Sequence, residues 1–145
     1  MIRLVSAVAA LAVGATIVYA QSAAIGQRQA VLKTFGDAAT DLSRMVKGEN
    51  PFDLGKVQAS LKTVSDGAPK LPALFPPDSK TGGKTEALPA IWEKKPEFEG
   101  LFKKLETDAK TTSAAIKDLA SLKTEWPKLG ATCVSCHKQF RQLPK

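Results

Sequence analysis

The sequence predicts an all-α chain folded as an antiparallel four-helix bundle. Apolar residues recur at steps of three and four in four segments, which is the period of an α-helix. The longest break between these segments, residues 71–95, holds prolines and glycines at a density that excludes a long helix. Four amphipathic helices joined by one long connection are typical of a bundle.

The first twenty residues are typical of a secretory signal peptide. Arg3 supplies the positive charge, an uncharged apolar stretch covers 4–18, and small residues precede a cleavage point after Ala20. Cleavage there leaves residues 21–145 as a single domain, the length of one ordinary folding unit. An uncleaved membrane anchor is the alternative, but the apolar stretch is short for a bilayer span.

The first two predicted helices have recognisable ends. The first covers 22–47, and the pair Lys47-Gly48 places a cation in its last turn and a stop signal behind it. The second begins near Asp53, a residue type that caps helix N-termini. It ends before Pro69 or Pro72, because proline cannot continue a helix.

The other two predicted helices follow the long connection. The third begins at Pro96, since proline favours the first helical position, and ends near 118–120. The fourth covers 121–141, and Pro127 either kinks it or marks the start of its regular part. The connection itself carries apolar residues such as Phe75 and Trp92, so we expect it to pack rather than to extend into solvent.

A Cys-x-x-Cys-His sequence lies at 133–137 and is typical of c-type haem attachment. Cys133 and Cys136 share one face of a helix, so both thiols can add to the vinyl groups of one porphyrin edge. His137 follows directly and is the only histidine in the chain. It is therefore the expected iron ligand, and no second histidine can bind the opposite side.

Three other interpretations of this segment are less favoured. A thioredoxin-like redox pair belongs near a β-α-β pattern, and no strand is predicted. A zinc site needs about four nitrogen or sulfur ligands, which two cysteines and one histidine do not complete. A structural disulfide of an exported protein would close a short and strained loop.

Composition narrows the range of partners. The chain has 21 Lys+Arg and 14 Asp+Glu, a formal net charge of +7. The lysines are scattered among acids, which is typical of a solvated surface; the functional alternative is an acidic redox partner or an anionic membrane surface. Aromatic residues are few and no basic block is present, so nucleic-acid binding is not expected.

The chain resembles the cytochrome c′ family and the class II c-type cytochromes, which carry haem on the last of four helices. The resemblance covers essentially all of 21–145. It rests on three segments: Arg28-Gln29-Ala30-Val31-Leu32, Pro89-Ala90-Ile91-Trp92, and residues 133–141. It implies one covalent haem c, with Cys133 and Cys136 as thioether cysteines and His137 as axial iron ligand.

The resemblance also implies further contacts to the haem. These come from Arg28, Gln29, Leu32, Thr85, Glu86, Trp92 and Arg141. A guanidinium pairs well with carboxylates, so Arg28 suits a haem propionate. Arg141 lies beside the axial histidine by this resemblance, or else it stabilises the helix C-terminus. Trp92 either packs near the porphyrin or anchors the connection.

Leu32 distinguishes two subtypes of the resembled class. In low-spin members a methionine at the matching position binds the sixth site of the iron. Leucine has no donor atom, so Leu32 implies five-coordinate, high-spin iron. Met45 lies thirteen residues further along, about 20 Å at ~1.5 Å per residue. It is too distant to substitute and is expected in the core at the end of the bundle.

The expected function is that of a periplasmic bacterial mono-haem cytochrome. It binds nitric oxide or carbon monoxide at the open sixth position and can exchange electrons with a periplasmic redox partner. The alternative is a low-spin electron-transfer cytochrome with an unidentified sixth ligand. An enzyme is not expected, because a haem peroxidase needs a distal base and the only histidine binds the iron.

The resemblance implies two further properties of the mature chain. Many relatives form homodimers through the first two helices, so a homodimer of that kind is one expected assembly. Val46, Val57 and Val64 are equally consistent with such an interface and with the core. No stable membrane insertion is expected after the signal peptide is removed.

Overall fold

The computed structural model describes residues 5–81 and 83–142, with side chains from residue 23 onward. Its helices are α1 (Val5–Lys47), α2 (Leu54–Gly67), α3 (Ala90–Glu93), α4 (Lys95–Ala115) and α5 (Leu119–Phe140). Helix α2 packs on α4, α4 on α5, α5 on α1 and α1 on α2. These four enclose one core, and α3 is a single turn outside the set. The predicted all-α four-helix bundle is confirmed.

The first helix is longer than the sequence predicts. Helix α1 begins at Val5 rather than at residue 22. Alanine, the strongest helix former, is frequent before residue 22, and no proline interrupts the segment. Residues 1–4 of the predicted signal peptide, including the charged Arg3, lie outside the described residues. Cleavage after Ala20 stays a prediction.

Helix α1 ends where the sequence indicates. Gly48 adopts φ +78°, the left-handed conformation that glycine reaches at little cost. Its amide donates to the carbonyl of Met45 at 3.1 Å, and the amide of Glu49 donates to that of Arg44 at 2.9 Å.

No helix in the described part of the chain is long and apolar enough to cross a membrane.

Asp53 caps α2 as predicted, since its side chain accepts from the backbone amide of Lys56 at 3.0 Å. Helix α2 then ends at Gly67, before the first of the two prolines.

The junction of α4 and α5 lies earlier than predicted. Helix α4 stops at Ala115, and α5 already begins at Leu119.

A capping box explains this shift at the α4–α5 junction. The side chain of Asp118 accepts from the backbone amide of Ser121 at 2.8 Å, while the hydroxyl of Ser121 accepts from the amide of Asp118 at 3.0 Å. The backbone hydrogen bond from Ser121 lowers the pKa of Asp118. Pro127 lies inside α5 and does not interrupt the helix, so it does not mark a late start of the regular part.

Valines that the sequence leaves open between core and interface belong mainly to the core. Val57 and Val64 of α2 are buried, and Val46 of α1 is partly buried against the same core. Met45 is 3% exposed and is part of this core, as predicted. Burial inside one chain removes Val57 and Val64 from any surface that a second copy could contact.

The long connection packs on the bundle, as predicted. A 3-10 turn at Ala68–Lys70 leads from α2 into it, and within it 3-10 turns at Pro72–Leu74 and Pro77–Lys80 precede α3. Leu71, Phe75 and Ile91 are buried. The ring of Phe75 meets that of Phe98 on α4 edge-on, with centroids 4.8 Å apart. The connection therefore forms one wall of the molecule's interior rather than a free loop.

Candidate functional site

A cavity of about 470 Å³ opens between α1, α4, α5 and the long connection. Cys133, Cys136 and His137 of α5 all line it. The remaining wall is mainly apolar, with Leu32 and Phe35 of α1 among its members. The helix brings both cysteines and the histidine to the same space because residues three and four apart share a face.

Neither cysteine belongs to a disulfide, and both are half-buried. Burial raises the pKa of Cys133, and burial together with the neighbouring thiol raises the pKa of Cys136 to about 11. Burial in an apolar environment disfavours the thiolate because charge is poorly solvated there. Before haem is attached, both side chains are therefore protonated thiols at neutral pH.

His137 is also half-buried, and burial lowers its pKa. The charge of Arg141 lowers it further, while that of Glu86 acts in the opposite direction. The imidazole is consequently neutral over more of the physiological range than a free histidine. A neutral imidazole is the form that binds a metal through a ring nitrogen.

The turn of α5 that carries the cysteines is attached to α4. The hydroxyl of Thr132 donates to Oδ2 of Asp108 at 2.7 Å, and Lys104 donates to the same oxygen at 2.6 Å. Burial opposes ionisation of Asp108, but these hydrogen bonds outweigh it and lower its pKa. Thr132 is buried and lines the cavity directly before Cys133. The contact fixes α5 against α4 at the point where the thiols enter the cavity.

Arg28 is buried inside the protein, with 2% of its surface exposed. Its Nη1 donates to the hydroxyl of Ser79 at 2.8 Å, and its Nη2 donates to the carbonyl of Ser79 at 3.1 Å and to the hydroxyl of Thr85 at 2.9 Å. The guanidinium also lies over the ring of Phe75, 4.6 Å from its centroid. Burial lowers the pKa of Arg28. These hydrogen bonds hold the long connection in place beside the cavity.

This geometry gives Arg28 contacts that the sequence does not indicate. Both terminal nitrogens donate to groups of the connection, on Ser79 and Thr85 and on the carbonyl of Leu74. Arg28 therefore anchors one wall of the cavity. It also lines the cavity, and its pairing with a haem propionate stays a prediction.

The connection meets the end of α5 at Glu86. Oε2 of Glu86 accepts from Nε of Arg141 at 2.6 Å. The backbone continues this contact, because the amide of Gln142 donates to the carbonyl of Glu86 at 2.7 Å and that of Leu88 to the carbonyl of Phe140 at 3.0 Å. Arg141 therefore joins the helix that carries His137 to the opposite wall.

The structure brings nine of the ten predicted site residues to one cavity. They are Arg28, Gln29, Leu32, Thr85, Glu86, Cys133, Cys136, His137 and Arg141. Trp92 is not among the residues that line it. Its indole nitrogen donates to the carbonyls of Phe75 and Pro76, each at 3.1 Å. Trp92 thus anchors the connection from behind Phe75, which is the second of the two roles expected for it.

Some residues of the site have no assignment from the sequence. Phe35 follows Leu32 by three positions, so its place on the same face could have been read from the helical period. Thr132 precedes Cys133, but its bond to Asp108 depends on how α4 and α5 meet. Ser79 lies in a 3-10 turn, and nothing in the sequence indicates that it is buried against Arg28.

The residues around the cavity suit a covalently held haem. A volume of about 470 Å³ lies within the range of roughly 300–1,000 Å³ that is usual for sites of large organic ligands. The apolar wall suits a porphyrin face, and the thiols and imidazole share one helical turn. In the described part of the chain, no cluster of three or more His, Cys, Asp or Glu side chains is placed to hold a metal ion by itself. Fold and site together define a c-type cytochrome.

Comparison with known proteins agrees with this class. The model of the family described as cytochrome C′ matches residues 23–141. A cytochrome c′ of Rhodopseudomonas palustris is 45% identical over 140 residues, covering 97% of this chain and 96% of the relative. A cytochrome c-556 of Agrobacterium fabrum is 37% identical over 118 residues, covering 81% and 80%. The chain belongs to the cytochrome c′ family, and a covalently bound haem follows from that membership.

Solved structures give the same result for the fold. The structure of cytochrome c′ from Rhodopseudomonas palustris superposes with a TM-score of 0.82 at 48% sequence identity, covering 84% of this chain and 98% of the other. The relatives include proteins named cytochrome c′ and proteins named cytochrome c-556.

Proposed function

We propose that this protein is a periplasmic mono-haem cytochrome whose iron keeps five ligands and binds nitric oxide or carbon monoxide at the open sixth position. The observation that carries the proposal is that Leu32 lies in the cavity wall. By the resemblance to the family, low-spin members carry a methionine at this position. A hydrocarbon side chain covers this position without a donor atom. The haem supplies the redox-active, ligand-binding iron, and the protein determines what can approach it.

No other described side chain of the cavity wall competes well for the sixth position. His137 is the only histidine of the chain, and Met45 belongs to the core rather than to the cavity wall. Lys33 lines the cavity, but its ammonium pairs with Asp37 at 2.7 Å and its side chain is 75% exposed. The amide of Gln29 donates to the carbonyl of Lys84 at 2.7 Å. These contacts hold both polar groups at the rim.

The apolar wall around Leu32 favours some gases over others. Bound oxygen is strongly polar and is stabilised by a hydrogen-bond donor, whereas nitric oxide and carbon monoxide need one less. Leu32 and Phe35 themselves offer no such donor. The α1 donors Gln29 and Lys33 are already hydrogen-bonded to other residues. We therefore expect nitric oxide and carbon monoxide to bind and oxygen to bind poorly.

Electron transfer accompanies gas binding in this proposal. Val134, between the two cysteines, is 54% exposed, so the attachment segment of α5 borders solvent. An edge near the surface allows a redox partner to approach. The positive net charge of the chain favours an acidic partner. Binding and electron exchange, rather than turnover of a substrate, are the proposed activities.

The test is a titration of the purified ferrous protein with carbon monoxide and then nitric oxide, followed by absorption spectroscopy. The proposal predicts saturable binding of each gas at one site per chain. A ferrous protein whose spectrum is unchanged by either gas would contradict it. Export is tested separately by sequencing the N-terminus of protein recovered from the periplasm, which should begin at Gln21.

A further inference from the structure

Gly67, at the end of α2, lies against the ring of Phe35. A Cβ atom at this position would be 2.6 Å from Cε1 and 2.8 Å from Cζ of that ring. The backbone of Gly67 has φ −85° and ψ −34°, a right-handed helical conformation that any residue adopts. Glycine is also a weaker helix former than alanine. The position therefore requires glycine because there is no space for a Cβ atom, and not because of its backbone conformation.

Phe35 stands between α2 and the cavity. Its ring lines the cavity and follows Leu32 by one helical turn, so the two side chains share a face of α1. Among the described residues that line the cavity, none belongs to α2. A ring displaced away from Gly67 consequently moves toward the cavity. Phe35 is half-buried, and the end of α2 blocks movement of its ring in the other direction.

We propose that Gly67 sets the space available to a diatomic ligand beside Leu32. Without a side chain, Gly67 lets the ring of Phe35 rest against the end of α2 and leaves the cavity open. Gly67 is thus a positioning residue that acts through Phe35. This inference rests on the proposed function, since it concerns the same sixth position of the iron.

Carbon monoxide is the probe for this inference. Its association rate is measured by flash photolysis in ferrous holo-protein for wild type, Gly67→Ala, Phe35→Leu and the double variant. Gly67→Ala is expected to slow association by about tenfold, because overpacking moves the ring into the ligand's space. In the Phe35→Leu background the same substitution should change the rate by less than about twofold. The matched control is Gly100→Ala, since a Cβ at that exposed helical position meets nothing within 4 Å.

Thermal unfolding of the same ferric proteins provides a readout that needs no gas. Gly67→Ala should lower the Tm of the wild type, whereas Gly100→Ala should leave it unchanged or raise it. With Leu at position 35 the Gly67→Ala substitution should no longer lower the Tm. This non-additivity is the signature of a direct contact between the two positions.

The outcomes separate this inference from the proposed function. If wild type binds carbon monoxide and Gly67→Ala binds it at the wild-type rate, the inference is overturned while the proposed function stands. An equal slowing in both backgrounds also overturns it, because the effect would not pass through Phe35. If Gly67→Ala holds too little haem for its rate to be measured, the Gly67→Ala/Phe35→Leu double variant decides. It must recover the haem content and the carbon monoxide association rate of Phe35→Leu. A double variant that fails to recover them contradicts the inference.

Discussion

Nε of Arg141 donates to Oε2 of Glu86 at 2.6 Å, joining the residue after α5 to the long connection. Two backbone hydrogen bonds flank the pair, from Gln142 to Glu86 and from Leu88 to Phe140. The ion pair itself is accessible, with the side chains 43% and 55% exposed. The backbone hydrogen bonds therefore join α5 to the long connection, and the ion pair contributes less to this contact.

Glu86→Gln should consequently have a small effect on stability. Exposed ion pairs contribute about 0–1 kcal/mol, because solvent screens the charges and two side chains must be ordered. The free energy of unfolding in urea should fall by no more than about 1 kcal/mol. Glu93→Gln, which changes an exposed carboxylate of α3, is the control. A much larger loss specific to Glu86 would show that the charge itself holds the connection.

Arg28 should be far more sensitive. Arg28→Gln removes a buried guanidinium and leaves the hydroxyl of Thr85 and the groups of Ser79 without their donors. Losing several buried hydrogen bonds of a charged group should cost about 2–4 kcal/mol. Lys33→Ala, an exposed position on the same helix, should change the free energy of unfolding by less than about 0.5 kcal/mol. Equal effects of the two variants in urea unfolding would contradict the anchoring role of Arg28.

The difference between these two arginines shows where the sequence is informative. The Cys-x-x-Cys-His spacing and the helical period depend on neighbours along the chain, so the fold and the attachment segment follow from the sequence. The role of Leu32 comes instead from the resemblance to the family. The partners of Arg28 lie 46–57 positions away and depend on how the connection folds back. No local pattern indicates that Ser79 is buried, so these contacts of Arg28 cannot be predicted from the sequence, and its role at a haem propionate stays a prediction.

The α4–α5 junction illustrates the same limit over a shorter range. The apolar period of α4 continues to Ile116 and beyond, and it conceals the point where the helix ends. The polar pattern from Asp118 to Ser121 marks the true start of α5, because each residue satisfies a backbone amide of the other. Capping residues thus locate a boundary that apolar periodicity alone misses.

Thr132→Val should weaken the attachment of α5 to α4. The hydrogen bond to Asp108 is lost, and a net contribution of about 0.5–1.5 kcal/mol is expected from one such bond. Thr107→Val, at an exposed position of α4, is the matched control. A Thr132→Val protein as stable as this control at neutral pH would contradict the expectation.

This difference should also depend on pH. The pKa of Asp108 is lowered in the folded protein, so its carboxylate stabilises the fold above the ordinary aspartate pKa of about 3.9. That contribution is lost as pH falls through the lowered pKa, where the carboxyl is protonated in both states. The gap between wild type and Thr132→Val should therefore be constant near neutrality and shrink in acid. Urea unfolding from pH 7 down to pH 3 tests this trend.

The two cysteines should each hold one bond to the haem. Intact-protein mass spectrometry of the wild type after denaturation should show the mass of one haem on every chain. Cys133→Ser and Cys136→Ser should retain a single covalent bond, whereas the double variant should release its haem. Retention of haem by the denatured double variant would contradict the assignment of these thiols, and a second haem mass on wild type would contradict the mono-haem proposal.

The most direct test of the account compares the resonance Raman spectra of ferric and ferrous holo-protein for wild type and Leu32→Met. Wild type should show high-spin, five-coordinate iron, because Leu32 has no atom that binds the sixth position. Leu32→Met places a thioether there and should convert the iron to a low-spin, six-coordinate state that takes up carbon monoxide more slowly. A low-spin, six-coordinate wild type would contradict the account, since another side chain would then fill the sixth position and electron transfer would be the remaining function.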